Sequence, residues 1–266
     1  MSETTEDNGQ PAKRGLQNRH VQLIAIGGTI GTGLFMGAGN SIHYAGPAIL
    51  LVYLTIGLFM FVMMRAVGEL LYADPTQHTF ITFITRYIGN RTGFFARWSY
   101  WLTIVFMGMA ELTAVAKYIQ YWLPGMPSWL IQIIMLVVLT SVNLVAVALY
   151  GETEFWFAMI KIVAILALIV TGIIMALTGF KTPVGDVAFS NVWQHLSLFP
   201  NGVGNFINAF QMVMFAFVGM EFIGMTTAET DNPRAVLPKA INQIPWRILF
   251  FYLGALFIIM TIYPWQ

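Results

Sequence analysis

The sequence contains no cysteine, so a disulfide framework, a thiol nucleophile and a thiolate metal site are all excluded. Charge is almost as scarce. Asp, Glu, Lys and Arg make up 9% of the 266 residues, where a soluble globular domain carries about 25%. The four histidines, His20, His43, His78 and His195, are scattered over expected loops and span ends. None stands at metal-ligand spacing from another, so no metal site is expected. There is no nucleophile–base arrangement and no phosphate loop, hence no catalytic residue, no cofactor and no nucleic-acid partner. The formal net charge of +1 points to no partner by itself. Met1 to Gln10 is acidic and polar rather than basic then apolar, which is not the pattern of a cleavable signal peptide. Residues 1–15 read as a disordered cytosolic tail and residues 16–266 as one transmembrane domain.

What is present is apolar. Hydrophobic residues are 58% of the chain and aromatic residues 15%. Runs of about 20 residues, enough to cross a bilayer, fall near 21–42, 47–72, 98–123, 128–149, 155–179, 204–227 and 247–264. The reading is therefore an all-α integral membrane chain with about seven transmembrane helices. Of the 13 Lys and Arg, only Lys117 and Lys181 fall at the first, third and fifth connections, and Lys161 lies within a span. The rest, from Lys13 to Arg247, lie at the other ends. Because positive charge gathers on the cytosolic side, the N-terminus is expected in the cytosol. Pro124-Gly125-Met126-Pro127 then reads as a tight external turn, and residues 73–97 as a cytosolic link with room for a short interfacial helix. Most of the eight tryptophans stand near expected span ends, where an aromatic belt would put them.

Two spans carry residues ill-suited to a continuous helix. The first holds Gly27-Gly28-Thr29-Ile30-Gly31-Thr32-Gly33-Leu34-Phe35. Each interior glycine costs a helix roughly 1 kcal/mol against alanine. Either these glycines let neighbouring helices approach closely, or the segment unwinds around a cavity and presents its backbone to a small polar ligand. The sixth span repeats the oddity in Phe215-Ala216-Phe217-Val218-Gly219-Met220-Glu221. Interrupted helices at corresponding places of two halves point to a transporter's substrate site.

Ionisable groups within spans are costly and so informative. Lys161 lies about six residues into the fifth span, roughly 9 Å deep at 1.5 Å per residue. It either snorkels to the interface or faces inward as a proton carrier. Glu111 is mid-span, either a polar staple between helices or part of a proton or substrate path. Glu221 is placed to cap or brace the broken sixth span. Glu152 and Glu154, in a first helical turn, suit the helix dipole without a catalytic role.

The first of these motifs, preceded by Asn18-Arg19-His20, resembles the opening of bacterial permeases of the amino acid–polyamine–organocation superfamily. So do Arg65-Ala66-Val67-Gly68-Glu69-Leu70, Gly151-Glu152-Thr153-Glu154-Phe155 and Glu229-Thr230-Asp231-Asn232-Pro233-Arg234. The chain most resembles the amino acid transporter branch that takes up aromatic, small neutral, D-serine/alanine/glycine, histidine or lysine substrates. The resemblance implies a five-plus-five inverted-repeat fold in the bacterial cytoplasmic membrane. Gly31, Thr32 and Gly33 would receive the substrate carboxylate. Backbone carbonyls near Thr29, Phe215, Val218 and Gly219 would receive the ammonium group, with Phe215 as gate. Lys161 matches the lysine of proton-coupled relatives, so proton symport is implied, with Glu111 as a second candidate on the proton path.

Such permeases have about twelve spans, and seven are seen here. The chain is expected to be the first part of such a permease. The expected function is proton-coupled uptake of a neutral amino acid by alternating access, its partners being substrate, proton and lipid bilayer. The alternative is a non-transporting fragment that binds substrate or pairs with other chains completing the fold. A channel would need a continuous polar lining, and a membrane enzyme a catalytic constellation; neither is visible in the sequence.

Overall fold

A computed structural model describes residues 30–265, apart from 75–76, 78, 146–149, 194–196, 198, 223 and 225–231. The expected tail 1–15 and Thr29 lie outside the described residues. Four helical stretches are long and apolar enough to cross a membrane: Gly37–Ala73, Asn90–Trp122, Phe155–Leu177 and Arg234–Ile262. Two shorter apolar helices, Ser128–Leu144 and Val203–Ala216, stand at the fourth and sixth expected spans. The chain is a multi-pass membrane protein.

The first described helix is kinked. Helix α1 (Thr32–Phe35) is followed by Met36, at φ −95° and ψ −37°, and then α2 (Gly37–Ala45). Met36 stays in the right-handed region, so Thr32 to Ala45 is one bent run. Gly46, at φ +56°, turns the chain through Gly46–Ala48 into α3 (Ile49–Ala73). A side chain at Gly46 would be strained by that φ and would press on Pro200 and Trp265. The expected interfacial helix is α4 (Phe80–Tyr87), whose first turn is capped by the Thr79 hydroxyl accepting from the Ile81 N–H. Then come α5 (Asn90–Trp122), α6 (Ser128–Val145) and α7 (Tyr150–Leu177).

Between the fifth and sixth spans the chain forms a two-stranded antiparallel hairpin, β1 (Lys181–Thr182) with β2 (Gly185–Asp186). Its strands are too short for any sequence pattern to announce them. The Asn191 amide pins it by donating to the Asp186 and Thr261 carbonyls at 2.9 and 3.0 Å. Helix α8 (Val203–Ala216) stops well short of the apolar run that contains it. Next come α9 (Pro233–Asn242), α10 (Ile244–Arg247), a π-helical turn over Ile248–Leu253 and α11 (Gly254–Ile262).

The main core lies where α2 and α3 pack on α8, and where α3 also meets α9 and the π-turn. Glycines permit these approaches, as is usual where helices meet in a membrane. A Cβ on Gly57 would meet Ile248, one on Gly68 would meet Ile241, and one on Gly172 of α7 would meet Ile258 of α11. Arg247, at the start of the seventh expected span, is buried. It is 6% exposed, and its Nη2 donates to the Gln243 Oε1 at 2.9 Å.

Candidate functional site

Among the described residues, each motif leaves helical geometry at or next to a glycine. Gly31 is extended, at φ −125° and ψ −166°, immediately before the helix that starts at Thr32. Its carbonyl accepts from the Leu34 and Phe35 N–H groups at 3.2 and 3.4 Å. The Thr32 hydroxyl donates to Glu111 Oε1 at 3.0 Å, and the Thr32 N–H points to the same oxygen at 3.4 Å. A carboxylate at a half-helix N-terminus is electrostatically favourable, since the unpaired N–H groups there carry partial positive charge. Glu111 thus ties mid-span α5 to the break in the first span.

The sixth span breaks at Phe217, and Gly219 adopts φ +96°, a conformation that strains any residue with a Cβ. Glu221 braces the break from its own side. One carboxylate oxygen accepts from the Gly219 N–H at 3.0 Å. The other accepts from the Tyr100 hydroxyl of α5 at 3.4 Å. Each break is therefore held to α5 by one carboxylate, Glu111 for the first and Glu221 for the second.

The two breaks touch. A Cβ built on Gly33 would run into the Ala216 Cα, so the backbones meet with nothing between them. Beside this contact a cavity of about 600 Å³ opens, lined by Thr32, Gly33, Asn40, Thr113, Gln211 and Phe215 among others. That volume suits a small ligand, and a few polar groups among apolar ones suit an amino acid. Another, apolar cavity of about 250 Å³ is lined by Met60, Met64, Tyr100, Val218 and Glu221 with others.

Of the residues singled out from the sequence, Thr32, Gly33 and Phe215 line the larger cavity, while Gly31 faces Glu111 and both stand outside its lining. Val218 and Glu221 line the smaller one, with Gly219 between them in the chain. Lys161 is half-buried on α7 and stands outside both linings. Sequence reasoning missed Asn40, Thr113, Gln211 and Tyr100. Each is a polar group inside an apolar run, which was the available signal, but none is charged and none interrupts its helix.

Residues 20–266 match the amino acid permease family. The DL-alanine permease SerP2 of Lactococcus lactis is 57% identical over 257 residues, 97% of this chain and 56% of that protein. The serine permease SerP1 of the same organism is 56% identical over 263 residues, 96% of this chain and 57% of that protein. The D-serine/D-alanine/glycine transporter of Escherichia coli is 47% identical over 258 residues, 97% of this chain and 55% of that protein. The chain thus spans a little over half the length of these relatives. No solved structure matches it.

Proposed function

This chain belongs to the amino acid permease family, and from that premise we propose that it serves proton-coupled uptake of a small neutral amino acid. The setting is the bacterial cytoplasmic membrane, with the N-terminus in the cytosol. The substrate carboxylate docks on the backbone N–H groups of Gly31 to Gly33 and on the Thr32 hydroxyl. The ammonium group docks on carbonyls of the two breaks, near Thr29, Phe215 and Val218, where Gly219 allows the turn. Half-helix ends have the polarity for this, N–H groups toward the anion and carbonyls toward the cation. Phe215 covers the side chain. Lys161 carries the transported proton, with Glu111 on the same path, and Glu221 holds the sixth-span break in shape.

The observation that carries this reading is the backbone contact of Gly33 with Ala216 beside a cavity that both breaks share. The names of the relatives, permeases for alanine, serine and glycine, support a small neutral substrate. A second reading is a membrane component that binds substrate or pairs with other chains without transporting.

The test is uptake of labelled serine, alanine and glycine by transport-deficient cells expressing the chain, with and without a proton gradient. Gradient-driven accumulation is expected, and it should be lost in Lys161→Met. Uptake unaffected by that substitution would remove Lys161 from the coupling. No uptake by a chain shown to be in the membrane would favour the second reading.

A further inference from the structure

The carbonyls freed where the sixth span breaks are not equivalent. Those of Met214, Phe215, Phe217 and Gly219 accept backbone N–H groups three residues on, at 3.1–3.2 Å. The Ala216 carbonyl, the last of α8, instead accepts the Tyr252 hydroxyl at 3.1 Å. Among the described residues no hydrogen bond reaches the Val218 carbonyl.

Tyr252 is fixed for this task. It is 1% exposed, and its ring stacks on Phe217 with centroids 4.9 Å apart and planes 10° from parallel. Tyr53 closes a third side at 5.8 Å. The residue stands in the π-turn Ile248–Leu253, which rests on Gly57 through Ile248. Such turns are rare and recur at functional sites. One added residue swings the following side chains by about 100° around the helix, given 3.6 residues per turn. The π-turn thus sets the angle at which span seven presents Tyr252 to the break.

We propose that Tyr252 is a positioning residue for the substrate's ammonium group. By taking the Ala216 carbonyl it fixes the peptide planes of the break, so that the Val218 carbonyl is the acceptor left for the cation. The proposal rests on the reading that the unwound sixth span receives the ammonium group. Tyr252 touches no substrate; it acts through α8 and Phe217.

The test uses Tyr252→Phe in the whole chain, reconstituted in lipid nanodiscs, because phenylalanine keeps the stacked ring and removes only the hydroxyl. Labelled alanine is the first probe, and lactate, which has the carboxylate but no ammonium group, is the competitor. Alanine affinity is expected to fall roughly fivefold to tenfold, as loss of one hydrogen bond's net contribution implies, while lactate competition holds. Amide hydrogen exchange across residues 214–222 is expected to quicken by a similar factor. Equal losses for alanine and lactate would overturn the ammonium role, and unchanged exchange would overturn the positioning role. Alanine bound equally well by both chains would sink the proposal and leave the substrate site standing. Wild-type chain that binds neither probe would overturn the site and the ammonium role together, with exchange still deciding whether Tyr252 holds the break.

Discussion

Half of the apolar window in Gly37–Ala73 and half of that in Arg234–Ile262 is buried inside the chain, against 11% in Asn90–Trp122 and 17% in Phe155–Leu177. The difference does not follow apolarity, since Phe155–Leu177 is the most apolar of the four. In water it would be the first to bury itself. In lipid the tails are as apolar as leucine, so greasiness gives two helices no reason to meet. What distinguishes the packed half is where small residues let backbones close up. Gly33, Gly57 and Gly68 each face an atom closer than 3 Å to a would-be Cβ, whereas in α5 Gly93 is tight against Thr85 near the helix start and Gly108, further along, has nothing within 4 Å. Helix α7 shows both conditions at once, with Gly172 tight against Ile258 and most of its remaining surface open.

This contrast can be broken most violently at Gly33. In Gly33→Val the new side chain meets backbone atoms of Ala216, which cannot rotate away. Overpacking costs about 1–3 kcal/mol where side chains can adjust, and here more is expected. Thermal unfolding in detergent should show a large loss, and substrate binding should vanish. A smaller effect is expected for Glu111→Ala, which leaves the Thr32 hydroxyl and N–H without their shared acceptor. One or two such bonds are worth about 1–3 kcal/mol. Thermal unfolding should fall accordingly, and hydrogen exchange at residues 31–35 should rise while the hairpin 181–186 stays unchanged. The smallest effect belongs to Gly108→Ala, which is expected to be neutral or to stabilise α5 by up to about 1 kcal/mol, since alanine is the better helix former. A clear loss there would mean that α5 is closely packed on that side in the membrane, and the contrast between the two halves would narrow.

The spans were legible because apolar length is a one-dimensional property, and the breaks because glycine punctuates a helix wherever it stands. The end of α8 was not. Apolar residues run on from Phe215 to Met220, so hydropathy passes through the break, and only Gly219 marks it. Partnerships were equally hidden. Glu111 and Glu221 stood out as costly charges, but nothing along the chain says that one meets Thr32 and the other Tyr100. Those pairings depend on the order of helices in the bundle. Tyr252 resembles any aromatic in an apolar run until the π-turn sets its direction. That Arg247 is buried was likewise hidden, since it follows from the packing of α10 against α3.

The contact between Gly33 and Ala216 also bears on motion. Two rods joined by long side chains can slip, each side chain finding a new groove as the rods shift. Two rods whose backbones touch have no such slack, and what remains to them is rotation about the point of contact, like scissor blades about a rivet. A tilt of either half-helix is then passed to the other at once. The two ends of a ligand held between them, acid and amine, would be gripped and released in the same stroke.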